Sequence, residues 1–488
     1  MDNLISAAQT SSSQIGSSQK DQKNREALGN TLLIGAGPAA VQMAVIFARG
    51  WTQRLGIASR CSDHWSDFLQ QYKQLNQVSV RSTKPALSSL AGTAHFDQCY
   101  EQLTHIDNQW DTIVLCVPAD CYQHVLKQIP LQQLDKIKRV ILLSPSFGSH
   151  LIVKHQFQCT NRNIEVLSFS TYFAATKSTV FNDKNTVLKD VSDKWISSRI
   201  NVITKARKKR IYISASNLVD QKRSSHVMGV LVDMLNSVDI DVITMADCFS
   251  VEARSITAYV HPPLFVNPFS LEQILKKTGP PKYMYKLFPE GPITPTAMKE
   301  MVQLWKEISK IVIRLNAEPI NLLKFLNDDN YPVLEESIGR FDIENFEKYP
   351  TNKQEYLLYV RYASILVDPF SEPDDAGRYF DFSAVAFPKA SYHGDVFTLP
   401  RVPLEDMKAM YVFYFLAKAL QISVMAISEF IFRFETWFET NFRLEKNNLN
   451  NKLINNLRQS SQHVVDIILN SLDYNISMTN RNLRNHNE

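Results

Sequence analysis

The chain has 488 residues, of which 44% are hydrophobic and 21% charged, and it carries a formal net charge of +4. That length supplies two or three domains with proper cores, and the composition is that of a soluble globular protein. So small a charge argues against a nucleic-acid binder, which would show a basic face or stripe.

Residues 1–29 are rich in Ser, Gln and Asn and lack an apolar core. They read as a disordered tail, and neither as a signal peptide nor as a membrane anchor. Order begins at Asn30. Thr31-Leu32-Leu33-Ile34 is a short apolar run, Gly35-Ala36-Gly37-Pro38-Ala39-Ala40 is a tight turn, and Val41, Ala44, Val45 and Ala48 follow at helical spacing. Further strands are expected at 55–59, 112–117, 140–143, 164–169, 210–214 and 240–245, with helices between several of them, among them 219–236. Such alternation predicts an α/β domain of the Rossmann type over residues 30–250, built on a doubly wound parallel sheet. The basic cluster Arg207-Lys208-Lys209-Arg210 reads as a solvated loop, with an anion contact as the lesser alternative.

The second region, residues 251–475, is expected to be mainly helical. Met301, Leu304, Trp305, Ile308, Ile311, Val312 and Leu315 mark one helix face, and 355–367 and 407–422 are helices by the same test. The apolar stretch Tyr411–Phe434 is interrupted by Lys418, Gln421 and Glu429, so it suits a buried or dimer-forming helix better than a membrane span. Residues 379–387 suggest a short hairpin arm, and 476–488 a frayed end. Six cysteines without a CxxC pair, and scattered histidines, predict reduced thiols and no structural metal. The chain reads as cytoplasmic, with no membrane partner.

The glycine turn is the first motif that carries chemistry. Gly35 allows the tight turn, Gly37 lets the backbone approach a pyrophosphate, and Ala40 keeps helix and strand close. The helix N-terminus, with Pro38 and Ala39 in its first turn, then faces the anion with unpaired N–H groups and a partial positive charge. The second strand ends in Ser59-Arg60 where an NAD or FAD site usually has an acid. A guanidinium suits a 2′-phosphate, which favours NADPH, with NADH as a weaker alternative. Ser59 and Ser62 could add neutral donors. Val117 and Pro118, at the end of the strand 112–117, complete the cofactor candidates. A flavin is the competing dinucleotide. Arg60 and the lack of a late Gly-Asp segment count against it.

Several long strings resemble the staphylopine-type opine metallophore dehydrogenases. They are Ser144-Pro145-Ser146-Phe147-Gly148-Ser149, Ser168-Phe169-Ser170-Thr171-Tyr172, Tyr259-Val260-His261-Pro262-Pro263-Leu264-Phe265 and the segment from Tyr285 to Thr294. Others are Asn330-Tyr331-Pro332-Val333, Gln354 to Tyr362, Asp368-Pro369-Phe370-Ser371 and Tyr379 to Val385. The resemblance runs from about Thr31 to about Ile422. It implies that an aminobutanoate-extended histidine, similar to part of nicotianamine, condenses with pyruvate or 2-oxoglutarate and that NADPH reduces the imine. It also implies a metal-chelating opine product, an enzyme that needs no metal, and a homodimer whose Rossmann and helical domains enclose a cleft. Two departures stand out. Ala175 follows the Ser-Thr-Tyr segment where some relatives have aspartate, and no lysine lies between Arg60 and Gln71.

Imine formation needs a proton shuttle, and histidine holds both protonation states near neutral pH. His261, stiffened by Pro262 and Pro263, is the candidate, with Tyr259 in the same substrate loop. Lys286 and Arg254 could pair with substrate carboxylates. Arg361 is a weaker choice, with a buried ion pair to Glu355 or Asp368 as the competing reading. Glu290 and Asn267 could hold the amine or imidazole, and Asp368 or Asp381 could orient His261. A simple amino-acid opine dehydrogenase, a flavin oxidoreductase and a non-catalytic NADPH sensor stay open as alternatives.

Overall fold

A computed structural model describes residues 27–158, 160, 162–178, 200–216, 221–276, 278–367, 385–393, 396–442 and 449–485. The chain divides into two compact units, one ending at Glu252 and the other beginning at Ala253, with Ser146–Gly148 grouped with the second.

The first unit contains β1 (Asn30–Ile34), β2 (Arg54–Ala58), β3 (Val78–Ser82), β4 (Gly92–Ala94), β5 (Gln98–Tyr100) and β6 (Thr112–Leu115). It continues with β7 (Arg139–Leu142), β8 (Glu165–Phe169), β9 (Ala174–Ser178), β10 (Ile200–Arg207), β11 (Arg210–Ala215) and β12 (Asp241–Thr244). Its helices include α1 (Pro38–Phe47), α2 (Asp63–Leu75), α3 (Tyr122–Gln128), α4 (Ser149–Gln158), α5 (Gln221–Asn236) and α6 (Cys248–Glu252).

Among the described residues, eight strands form one sheet in the order β12-β11-β8-β7-β6-β1-β2-β5. All its pairs are parallel except β8–β11. Alternation along the strands sends Leu32, Ile34, Ile113, Leu115, Val140 and Leu142 into one core cluster, and Leu33, Val114 and Ile141 into another. Both faces are therefore covered, as a parallel sheet requires. The chain runs from β1 to β2 on one side, and β6 lies on the other. The carboxyl end of β1 is thus the topological switch point, where open α/β sheets bind ligands.

A second sheet, β4-β3-β10-β9, was not foreseen from the sequence. It packs on α1, so that this helix is buried along most of its length. Gln42 is the polar exception on α1. Its Nε2 donates to the Leu90 carbonyl at 2.9 Å, and its Oε1 accepts from Thr204 on β10 at 2.6 Å. The basic cluster is a loop only at Lys208-Lys209, with Lys209 exposed, while its arginines belong to strands. Arg207 closes β10 and pairs with Asp239 at 2.8 Å, while Arg210 opens β11 and pairs with Asp241 at 2.8 Å. Carboxylates two residues apart at the start of β12 neutralise the two ends of the turn. Ala175 lies exposed in β9 opposite Ala206. Burial raises the Cys99 thiol to about 12 and pushes Cys116 and Cys248 further up, so these thiols stay protonated.

The second unit is built mainly of helices. They are α7 (Ile256–Tyr259), α8 (His261–Phe265), α9 (Pro268–Leu275), α10 (Pro295–Arg314), α11 (Leu322–Asp328), α12 (Arg340–Asn345), α13 (Thr351–Val367), α14 (Arg401–Ala419), α15 (Met425–Phe442) and α16 (Leu449–Asn485). The predicted face of α10 is the buried one. The helix starts earlier than its apolar pattern, because Thr294 caps the Ala297 N–H at 3.1 Å and Pro295 fits the first position.

The stretch Tyr411–Phe434 is two helices rather than one. Gln421 takes a left-handed backbone (φ 58°) and closes α14, and Glu307 accepts from the N–H groups of Ala426 and Ile427 to cap α15. Helix α16 continues through residues 476–485, where the Asn-rich sequence suggested fraying. Leu457, Val465 and Ile468 bury one face of it upstream. Residues 379–384 of the expected hairpin arm lie outside the described residues, and a short antiparallel pair forms downstream at Ser391–His393 and Val396–Thr398. No helix among the described residues is long and apolar enough to cross a membrane.

Candidate active site

The first unit supplies a dinucleotide cradle. Gly35 follows β1 with φ 122°, and its N–H donates to the Ala58 carbonyl at 2.8 Å. A Cβ there would stand 3.0 Å from Val117 and 3.1 Å from the Cys116 carbonyl oxygen, so both backbone angle and space demand glycine. Gly37 differs: no protein atom lies within 4 Å of the position its Cβ would take. Its missing side chain leaves room for something that is not protein.

Helix α1 starts at Pro38 without a side-chain cap and with no acid in its first turn, so its positive end is uncompensated. Ala39 is half-buried, and Ala40 is fully buried in the core beneath the turn. These features fit a pyrophosphate.

The end of β2 places Ser59, nearly buried, beside an exposed Arg60. Ser62, expected as a donor to the cofactor, is the cap of α2 and accepts from the Trp65 N–H at 3.2 Å. His64, in the first turn of α2, reaches the carbonyl of Ala36 inside the glycine turn at 3.2 Å. Sequence reasoning passed over it, because nothing in the local pattern ties residue 64 to residue 36. Val117 is half-buried, and Pro118 is exposed and leads into the short turn Ala119–Cys121.

The second unit supplies a proton-handling centre. His261 opens α8, its side chain mostly buried, and its ring meets Phe265 edge-on at 4.9 Å between centroids. Nδ1 lies 2.9 Å from Oδ1 of Asp406, a residue of α14 that is 1% exposed. A carboxylate on Nδ1 keeps a proton on that nitrogen and fixes the ring orientation. Nε2 is left to exchange protons, and the Tyr285 hydroxyl stands 3.4 Å from it.

Asp406 was not foreseen. It lies 145 positions from His261, and its only sequence signal is a lone acid beside the buried Met407, Met410 and Tyr411. Asp368 and Asp381, the acids expected to orient the histidine, lie outside the described residues.

The other expected substrate residues fall out differently. Asn267 is a helix cap: its oxygen accepts from the Ser270 N–H and its amide donates to the carbonyls of Pro263 and Leu264. Its side chain is thus engaged in local structure. Arg361 is buried and donates to the carbonyls of Leu326 and Tyr331, pinning the end of α11, rather than forming the expected pair with Glu355. Lys286 meets Glu290 at 3.2 Å and the Tyr283 ring at 4.9 Å, so these two candidates are neighbours that partly neutralise each other. Arg254 is mostly buried, 3.5 Å from Glu318 and 3.7 Å from Asp329. Tyr259 is fully buried against Phe325, and its hydroxyl has no hydrogen-bond partner among the described residues.

A glycine turn at a sheet switch point, with a histidine–carboxylate pair in a helical second unit, defines a dinucleotide-dependent oxidoreductase. The sequence model of the staphylopine dehydrogenase family matches residues 29–472. The chain is 37% identical to the pseudopaline synthase of Pseudomonas aeruginosa over 406 residues, 82% of this chain and 87% of that protein. It is 36% identical to the staphylopine synthase of Staphylococcus aureus over 412 residues, 84% of this chain and 90% of that one. The solved structure of yersinopine dehydrogenase with NADP+ bound superposes with a TM-score of 0.74 at 31% identity, covering 90% of this chain and all of that one. The chain belongs to the staphylopine dehydrogenase family. It is a NAD(P)H oxidoreductase that carries out a reductive condensation of the opine-dehydrogenase type.

Proposed function

We propose that the chain condenses an aminobutanoate-extended histidine with pyruvate or 2-oxoglutarate, at the expense of NADPH, to give a metal-chelating opine. The observation that carries this reading is the His261 ring, held at Nδ1 by the buried Asp406. Family membership supplies the reaction type, and this pair is what that reaction needs.

The primary amine adds to the keto carbon to give a carbinolamine. Protonated His261 gives its proton to the leaving hydroxyl, the C–O bond breaks, water departs, and the nitrogen lone pair closes the C=N bond. Asp406 stabilises the ring while it is charged. NADPH, when bound, supplies the hydride that turns this bond into a secondary amine. Arg60 and Ser59 would hold its 2′-phosphate, and Gly35 to Ala40 its pyrophosphate. The bound NADP+ of yersinopine dehydrogenase supports that choice of cofactor. Arg254 and Lys286 would meet substrate carboxylates, Tyr259 would offer a hydroxyl that has no partner among the described residues, and Glu290 would take the amine side. We place the enzyme in the cytoplasm, where NADPH and keto acids are available, and read it as a homodimer.

The test is NADPH oxidation with the extended histidine and each keto acid, with mass analysis of the product. A product with the mass of one amine plus one keto acid less one oxygen, the balance of one water lost and two hydrogens gained, is expected. Tight NADPH binding without oxidation for any amine and keto acid would refute the reading. Turnover with small amino acids alone would replace the substrate by a simpler one.

A further inference from the structure

We propose that the Tyr285 hydroxyl relays the proton between His261 and the substrate, so that the working acid is a chain of three side chains. The inference deepens the functional reading above and rests on it.

Both nitrogens of the His261 ring are addressed: Nδ1 by Asp406 at 2.9 Å and Nε2 by the Tyr285 hydroxyl at 3.4 Å. With Nδ1 carrying its hydrogen towards the carboxylate, the neutral ring can only accept at Nε2, so Tyr285 donates there. The distance is long for a hydrogen bond, as is common in catalytic contacts before substrate arrives. The phenol is held in register because Phe265 packs edge-on against both rings, 4.9 Å from His261 and 5.6 Å from Tyr285. The phenol oxygen is thus fixed beside the nitrogen that would exchange protons with the substrate.

The charge environment selects a relay over a phenolate base. Burial comes first, and nearby Tyr362, Tyr331 and Asp406 push the Tyr285 phenol further up. Arg401 opposes them. A phenol that resists ionising can still pass a proton without becoming charged. In the relay, protonated Nε2 gives its hydrogen to the Tyr285 oxygen while the phenol gives its own to the departing hydroxyl. The C–O bond breaks, water leaves, and the C=N bond forms. Tyr285 ends as it began and His261 ends neutral.

The experiment is Tyr285→Phe in the full-length enzyme, measured in single turnover so that product release does not mask chemistry. The ring and its contact with Phe265 are kept, and NADPH titration with thermal melting verifies that the variant is folded. The expected result is a rate of imine formation and reduction lower by about 10²-fold, with NADPH affinity and the KM of both substrates within about twofold. In mixed H2O and D2O, wild type should give a curved proton inventory from two protons in flight, and the variant a linear one. A variant within about twofold of the wild-type rate, or a linear inventory in wild type, would overturn the relay while leaving the His261 reading intact. A wild-type enzyme without reductive condensation would overturn both. Should Tyr285→Phe melt early, the wild-type inventory alone decides.

Discussion

The two halves of the chain's candidate machinery, one in each unit, are built by different means. The cofactor cradle of the first unit is made of backbone: Gly35, Gly37 and the capless start of α1 lie within six consecutive residues, and Arg60 follows at the end of the next strand. The proton-handling centre of the second unit is made of side chains from three separated segments, with His261, Tyr285 and Asp406 as its members. Backbone requirements are local and must be met by residue types that tolerate them, so they repeat in recognisable order. A side-chain constellation needs only that its members meet in space, and any helix of suitable pitch can bring one in.

The sharpest way to break this contrast is to ask whether each half fails alone. His261→Ala should lower kcat/KM by about 10²–10⁴-fold while NADPH affinity stays at the wild-type value. Asp406→Asn should cost about 10²-fold, because an amide neither fixes the Nδ1 hydrogen nor stabilises the imidazolium. Steady-state kinetics beside a fluorescence titration of NADPH checks both. Near-normal turnover in His261→Ala would remove this ring from the mechanism. Loss of NADPH binding in either variant would show that the halves are not separable.

Within the cradle, the two glycines should fail in opposite ways. Gly35→Val forces a β-branched residue into φ 122° and drives a Cβ against the Cys116 carbonyl. The strain is worth about 1–3 kcal/mol, which should lower the melting temperature by several degrees. At Gly37→Val the added Cβ meets no neighbouring segment within 4 Å, so the melting temperature should change little while NADPH affinity falls by more than about tenfold. Thermal melts with titrations separate the cases. A Gly37→Val protein that binds NADPH normally would show that the open space there is not the pyrophosphate's.

The same contrast explains what the sequence could reveal. Strand β1, its glycine turn and α1 were legible because period, turn chemistry and helix start agree over fewer than 20 residues. Alternating strands gave the parallel sheet, but not the second sheet on α1: β3 and β4 are short and half polar, and β10 pairs with a strand more than 100 residues earlier. His261 was singled out from the two prolines after it and the resemblance around it, but those prolines open helix α8 rather than stiffen a loop. Asp406 was not, since an acid in a helix is ordinarily a solvated one, and only packing shows this one to be buried. Asn267 had a helix-capping role that the sequence reading did not name. A polar residue before Pro268 carries the signature of a helix cap as plainly as that of a ligand contact.

A smaller effect tests Arg60. If its guanidinium grips a 2′-phosphate, Arg60→Asp should shift the ratio of kcat/KM for NADPH over NADH by about 10–100-fold towards NADH, the range of one or two charge-assisted hydrogen bonds. Single-substrate titrations of each nucleotide measure it. An unchanged ratio would make Arg60 a surface residue and move cofactor selection to His64 or Ser59.

The smallest expected effect separates structure from function at one atom. The Tyr259 hydroxyl is buried without a hydrogen-bond partner among the described residues, and burial pushes its phenol well above the ordinary range. An unsatisfied buried hydroxyl costs about 1–3 kcal/mol of stability. Tyr259→Phe removes that cost while keeping the ring against Phe325, so the protein should melt about 2–6 °C higher. If the hydroxyl serves the substrate, the same variant should raise the amine KM several-fold, because the group it lost was the one waiting for a partner. A higher melting temperature with an unchanged KM would leave Tyr259 as packing. A lower melting temperature would mean that the hydroxyl is already satisfied in solution, by water.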